Sequence, residues 1–369
     1  MSNRKSHLWL EEPIVGVDGS LTISTVVESP QSGITNLWYR IPGKYAAFVT
    51  DSCDPLVVAN VFNFMKLGFD CLVHGRVSPS LLRNLTEFQA AWSCWRPGLY
   101  KQVDIVGSDE VETAQADDPE LAVAAFTGGA DSCYTILSHK KGLCPRRWQR
   151  NLEAGLLIHG FDIPLEQGDA FERAAQKARE TLASVGMELI TMSTNHMTLN
   201  PDWEDTHIAG VASCLMLLNR RYGQGLIASG LDYNTLKTPW GSNPITDYLC
   251  SSNSFKIVHD GAAVTRVQKF KQIAKWEEGF SKLRVCFSAN TRDENCGICS
   301  KCVFTIMALR IHGMEVPESF PQPLDAMAIN LETKSAEDII GFKKLITSAR
   351  KANLMDPWVN VLSQRLFDR

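Results

Sequence analysis

The run Phe126-Thr127-Gly128-Gly129-Ala130-Asp131-Ser132 gathers the groups that an anion site needs. Two adjacent glycines let backbone N–H groups approach phosphate oxygens closely, and Thr127 and Ser132 can add hydroxyl donors. The run lacks the lysine of a GxxxxGKS/T loop and the spacing of GxGxxG. A glycine turn that merely starts a helix is the structural alternative, with Asp131 as an acid in its first turn.

A second constellation is Cys286-x9-Cys296-x2-Cys299-x2-Cys302. Four thiolates at these spacings suit a structural zinc ion, and a closed tetrahedron leaves no position for substrate. The other seven of the eleven cysteines are scattered among apolar neighbours and read as core thiols. An odd total without a secretory leader points to a reducing, cytoplasmic setting.

Both constellations need a scaffold. From Leu121 onward, short apolar runs (LAVAAF, AGLLIHG, MELITM, GLIASG) alternate with helical patterns over 131–140, 169–185 and 206–219. Uninterrupted apolar strands separated by helices imply parallel βαβ units covered on both faces, so the fold expected is a doubly wound α/β domain. The glycine run then occupies the first strand-to-helix turn. That turn lies at the carboxyl edge of the sheet, where ligands bind and the N-terminus of a helix presents its N–H groups. A helix is expected over 265–279, a strand over 282–286 leading into the cysteines, and a helix over 301–311.

Residues 1–107 read as an α+β domain with strands near 21–28 and 37–41. Its first helix takes Asp54 as N-cap, Pro55 at N1 and Gly68 past its end; the second takes Ser78 and Pro79. Leu81, Leu82, Leu85, Phe88 and Trp92 give this second helix one apolar face. Residues 108–120 (SDEVETAQADDPE) read as a solvated acidic linker. The expected division is therefore 1–107, linker 108–120, nucleotide-binding domain 121–285, zinc-binding subdomain 286–313 and a helical extension 314–369, with helices over 335–351 and within 353–369.

In this setting the glycine run resembles the SGGxDS motif of the PP-loop ATP pyrophosphatases, which have an adenine nucleotide α-hydrolase (HUP-like) fold. Thr127 stands for the first serine and keeps its hydroxyl. The four-cysteine order downstream narrows the resemblance to the 7-cyano-7-deazaguanine synthase family, over residues 121–313. The resemblance implies cleavage of ATP between its α- and β-phosphates, transfer of AMP to a carboxylate or amide oxygen, and displacement of AMP by a nitrogen nucleophile. It implies that Thr127, Gly128, Gly129, Ala130, Asp131 and Ser132 cradle the pyrophosphate with magnesium. Asp131 would hold that ion or orient the loop's N–H groups. The end of the second strand, at His159, Gly160 and Phe161, would contact adenine, with a role only in tying down the turn as the alternative. Arg266 and Lys269, near the start of the fifth helix, could replace the absent Walker lysine; solvated helix charges are the competing reading. The catalytic residues expected are Asp131, Ser132 and Lys269.

The chain departs from that family in several places. Where the family has a PGRN-type segment, it has Trp203-Glu204-Asp205-Thr206-His207, and a long insertion, 231–254, follows the fourth strand. The N-terminal domain and C-terminal helices have no counterpart in the simple synthase. Long loops at the active edge of a sheet are usually functional, so Trp240, Ser242 and Asp247 are expected to bind the acceptor, with Arg266 and His207 beside them; a disordered surface loop, and for His207 an ordinary capping or surface histidine, are the alternatives. The expected activity is an AMP-forming C–N ligase acting on a deazapurine-like or other acceptor. A protein acceptor, as in phage-defence relatives of the synthase, is a variant of it. ATP-dependent sulfur transfer through Cys133 or Cys250, and a non-catalytic nucleotide-binding scaffold, are the competing classes.

Lys and Arg number 37 against 41 Asp and Glu, a net charge of −4, which gives no general attraction for nucleic acid or anionic lipid. No run approaches eighteen uninterrupted apolar residues, so no membrane partner is expected. The partners expected are ATP and a small-molecule or protein acceptor, and an oligomer is compatible with the sequence.

Overall fold

The structure is a computed structural model that describes residues 5–286, 288–321, 336–354 and 357–367. Its strands are β1 (Ser6–Leu10), β2 (Ile14–Val15), β3 (Leu21–Ser29), β4 (Gly33–Ile41), β5 (Cys71–Val77), β6 (Ile105–Glu110), β7 (Leu121–Ala125), β8 (Asn151–His159), β9 (Glu188–Thr194), β10 (Gln224–Ala228) and β11 (Lys256–Asp260). All eleven belong to one mixed sheet in the order β11-β10-β7-β8-β9-β4-β3-β1-β5-β6, with β2 alongside β3.

From β11 to β9 every pairing is parallel. The apolar runs explain this: along β7, Ala122 and Ala124 enter one core while Val123 enters the other, so both faces of the strand are buried. The chain leaves β7 toward β8 and β9 on one side, and later returns to β10 and β11 on the other. The carboxyl end of β7 is thus the topological switch point of a Rossmann-like sheet, where a crevice opens.

The helices are α1 (Asp54–Leu67), α2 (Pro79–Trp95), α3 (Ala130–Lys140), α4 (Gly168–Ala183), α5 (His196–Leu199), α6 (Trp203–Met216), α7 (Arg266–Ile273), α8 (Glu277–Ser281), α9 (Ser300–Ile311), α10 (Ala336–Lys351) and α11 (Pro357–Phe367). Apolar residues of α1, α2 and α6 form one core, and those of α3, α4, α7, α9, α10 and α11 the other. No helix among the described residues is long and apolar enough to cross a membrane.

The N-terminal strands extend the same sheet. β4 pairs antiparallel with β9, Tyr39 opposite Thr194 and Arg40 opposite Ser193. The acidic stretch expected to be a solvated linker is exposed along most of its length but is pinned to the fold at several points. β6 takes its first residues, and Thr113 and Ala116 are buried. Its acids have a use: the Glu112 carboxylate accepts from the Ser80 N–H at 3.0 Å and from the Ser80 hydroxyl at 2.7 Å, at the positive end of α2.

Three local expectations change. Cys53, not Asp54, is the N-cap of α1; the buried Asp54 carboxylate instead accepts from the Ser78 N–H at 2.8 Å and its hydroxyl at 2.6 Å. The helix expected over 265–279 is two, because the buried Trp276 leaves the helical conformation and donates its indole N–H to Ser184 at 2.9 Å. Residues 282–286 make no strand, since the Arg284 N–H bonds the glycine loop, not a neighbouring strand. Of the helical extension, residues 322–335 lie outside the described residues.

His196, fully buried at the start of α5, carries a testable electrostatic signature. Burial lowers its pKa to about 4, against the weaker upward pull of the Ala59 carbonyl that its ring meets at 3.2 Å. Between pH 6.5 and that value the unfolded chain binds a proton the native state refuses. Stability is therefore present above pH 6.5 and lost as pH falls toward 4, by about 2 kcal/mol at pH 5 from this group alone. Urea unfolding of wild type and His196→Gln at pH 7 and pH 5 is expected to show the smaller acid loss in the variant; equal losses would refute the assignment.

Candidate functional site

At the end of β7 the chain turns through the glycine run into α3. Gly128 takes φ +74°, a conformation that side chains resist, and Gly129 is the N-cap of α3. The hydroxyls hold the loop's own shape: Ser132 Oγ accepts from the Thr127 N–H at 3.3 Å and donates to the Gly129 carbonyl at 3.1 Å. Thr127 Oγ1 accepts a long bond, 3.3 Å, from the Gly129 N–H.

Asp131, one residue into α3, receives a cation on each oxygen. Arg266 Nη2 lies 2.8 Å from Oδ2 and Lys269 Nζ 2.9 Å from Oδ1. The Lys269 side chain is only 2% exposed; it also donates to the Ser229 carbonyl at 2.6 Å, and Arg266 to the Gly230 carbonyl at 3.0 Å. Both carbonyls follow β10, so α7 spans the crevice at the switch point. The Thr265–Gln268 capping box fixes where α7 begins. Burial raises the Asp131 pKa, but the charges of Arg266 and Lys269 outweigh it and hold the carboxyl below its ordinary value.

Arg284 lies under the loop, buried. Its guanidinium donates to the Thr127 carbonyl at 2.9 and 3.1 Å, and comes within 3.6 Å of Asp162. Lys301 of α9 stands in the same field: crowding by protein lowers its pKa, Asp162 and Asp131 raise it, and Arg266 lowers it. Four cations against two carboxylates leave the loop's surroundings cationic. With the N–H groups of α3, they suit a polyanion. Both Asp131 oxygens serve cations, so its carboxylate fixes Arg266 and Lys269 beside the loop.

At the end of β8, where the backbone is expected to contact adenine, the His159 side chain is buried and Phe161 is half-buried. His159 Nε2 meets the Pro164 carbonyl at 2.9 Å and its ring stacks on Phe171 at 4.3 Å. Burial lowers its pKa. Phe161 packs on Trp203 at 4.7 Å and on His196 at 6.0 Å. Gly160, at φ +100°, turns the chain between them.

The long insertion is built, not loose. His207 uses both ring nitrogens, Nδ1 on the Trp203 carbonyl and Nε2 accepting from the Ser242 N–H, each at 2.9 Å. This arrangement and burial, which lowers its pKa, keep it neutral. A side chain at Gly241 would collide with that ring. Asp247 is fully buried and accepts from the Ser242 hydroxyl at 2.7 Å, the Asn243 N–H at 2.8 Å and His259 Nδ1 at 2.7 Å. His207, Ser242 and Asp247 thus brace the loop, and Trp240, half-buried against His207 at 5.6 Å, keeps part of its surface exposed.

The four cysteine sulfurs lie within 4.8 Å of one another, and Cys286 and Cys299 are 3.7 Å apart. A tetrahedron with bonds of about 2.3 Å has edges of about 3.8 Å, so the set can hold one metal ion, and sulfur-only ligation suits zinc. The N–H groups of Ser288 and Cys299 donate to Cys286 and Cys296, both at 3.3 Å, and Gly297 at φ +74° makes the turn between ligands. The thiols of Cys299 and Cys302 pull the Cys286 pKa down and favour its thiolate.

Comparison with family models, curated proteins and solved structures finds no match. Sequence reasoning missed Arg284, Lys301 and His259. His259, on β11, donates to Asp247 through Nδ1, and its buried Nε2 has no hydrogen-bond partner among the described residues. The pattern Lys256-Ile257-Val258-His259-Asp260 could have been read as a strand ending at the active edge; nothing local marks Arg284. Cys133 and Cys250, considered as sulfur carriers, are fully buried, and burial raises Cys133 to about 12 and Cys250 well above its ordinary value. Neither offers a thiolate.

Proposed function

We propose that this chain is an ATP-dependent, AMP-forming ligase of the adenine nucleotide α-hydrolase type. The observation that carries the reading is the cation-lined glycine loop at the switch point of the parallel strands, with Lys269 and Arg266 held on Asp131. An acceptor oxygen attacks the α-phosphorus, the bond to the β-phosphate oxygen breaks, and its electron pair leaves with pyrophosphate. Gly128, Gly129 and the first turn of α3 donate N–H groups to that leaving group, while Arg266, Lys269 and Lys301 balance its charge. Magnesium arrives as the nucleotide's counter-ion and supplies further neutralisation. A nitrogen nucleophile then attacks the activated carbon, AMP departs, and the nitrogen gives up a proton. The insertion with Trp240 supports an acceptor that has a flat face. Zinc on the four cysteines has a structural role.

The test is pyrophosphate release from ATP, with and without 7-carboxy-7-deazaguanine and ammonia, beside calorimetric ATP binding. Acceptor-dependent release that Asp131→Ala abolishes is expected. Failure to bind ATP would remove the nucleotide reading, and binding without release for any carboxylate acceptor tried would remove the activation step.

A further inference from the structure

We infer that Arg284 is a positioning residue through which the four-cysteine site sets the shape of the glycine loop. The phosphate part of this inference rests on the proposed function; the mechanical part does not. Residues 283–286 run as an irregular segment between α8 and the first metal ligand. Arg284 grips the loop twice. Its backbone N–H donates to the Gly128 carbonyl at 2.9 Å, and its guanidinium donates to the Thr127 carbonyl at 2.9 and 3.1 Å.

Those two carbonyls decide where the loop's donors point. In a trans peptide the N–H is antiparallel to the C=O of the same unit. The Thr127 carbonyl shares its plane with the Gly128 N–H, and the Gly128 carbonyl with the Gly129 N–H. Pulling both carbonyls toward Arg284 therefore turns both N–H groups away from it. A side chain at 129 would meet the Arg284 carbonyl at 3.4 Å, which is ordinary contact, so the segment abuts the loop along its backbone as well.

The same segment is tied to the metal site. Cys286 follows Arg284 by two residues, and Asn295 immediately precedes Cys296. Asn295 Oδ1 accepts from the N–H groups of Val285 and Cys286 at 2.9 and 3.2 Å, and its Nδ2 donates to the Leu283 carbonyl at 2.8 Å. Arg284 also donates to the Arg292 carbonyl at 3.1 Å. Two chain segments are thus clamped side by side, each ending in a cysteine ligand. A bound metal ion closes the open end of that clamp. Without it, hydrogen bonds alone hold the two segments together, and Arg284 is less firmly fixed against the loop.

The experiment compares wild type and Arg284→Met, each metal-loaded and chelated, with metal content measured on every sample. Two readouts are taken: amide hydrogen exchange over 127–133, and calorimetric affinity for inorganic pyrophosphate. Metal-loaded Arg284→Met is expected to keep its metal, yet exchange faster across the loop and bind pyrophosphate more than 10-fold more weakly. Chelation of wild type should give the same change, and chelation of the variant should add little to it. If chelation unfolds the chain, the metal-loaded variant alone decides. Native loop protection in Arg284→Met, or in folded metal-free wild type, would overturn the inference. Full additivity of the two changes would also overturn it. If loop protection follows Arg284 and the metal while no form binds pyrophosphate, the coupling stands and the nucleotide reading falls.

Discussion

Lys269→Met is expected to lower pyrophosphate release by about 10²–10³-fold, the scale of losing one preorganised charge at a developing anion. The lysine is buried. Its ammonium is hydrogen-bonded to Asp131 and the Ser229 carbonyl, so it is a fixed charge at the crevice and not a mobile surface one. Removing it leaves Asp131 with Arg266 alone and the Ser229 carbonyl without its ammonium donor. Breaking one partner of a buried pair costs about 3–5 kcal/mol in the strongest cases. Asp131 retains 23% exposure and a second cation, so the loss should fall at or below the lower end of that range. Stability and catalysis can be separated with Asp131→Asn/Lys269→Met, in which both charges of the pair are gone. The double variant should regain part of the lost stability and none of the activity. A double variant as active as wild type would show that the cation has no part in the chemistry.

Gly160→Ala should destabilise the chain by about 3 kcal/mol or more, the range for backbone conflict at a special φ. A Cβ at this position would lie 2.0 Å from the Thr194 carbonyl oxygen, and φ is +100°. Neither the end of β8 nor the end of β9 can withdraw, because the two strands pair up to His159 and Ser193. Gly168→Ala is the control: it begins α4, has open space around it, and should be neutral or slightly stabilising. Chemical denaturation of the two variants checks both. Similar small effects would mean that the turn after β8 yields more readily than its hydrogen bonds imply.

What could be read in the sequence was what is local. Apolar runs too short for helices and the double glycine between strand and helix are patterns within a few residues, and β7, the loop and α3 lie where they imply. The cysteine spacing was as legible, because a metal knuckle is built from near neighbours. At 108–120 composition captured the exposure but not the anchoring, since an acid that caps a helix and an acid that only faces water look alike in a sequence. Arg284 was invisible for the opposite reason. Its partners, Thr127 and Gly128, lie more than 150 positions earlier, and no periodicity marks an arginine whose value is the carbonyls it holds. The insertion shows an intermediate case. Its polar residues were legible as important, but Ser242, Asp247 and His207 satisfy one another, which only the fold reveals.

The pairing of β4 with β9 has a consequence for how the molecule comes apart. Thr194, whose carbonyl walls the turn at Gly160, is also the residue that faces Tyr39 across the seam between the N-terminal and parallel strands. Tyr39 in turn is buried and bonds Ser213 of α6 through its hydroxyl at 2.9 Å. The first hundred residues are therefore not a detachable appendage. Cutting them away would bare the edge of β9 and the inner side of α6 together, so the two halves should melt in a single transition, and a fragment starting at β7 should be insoluble or unfolded.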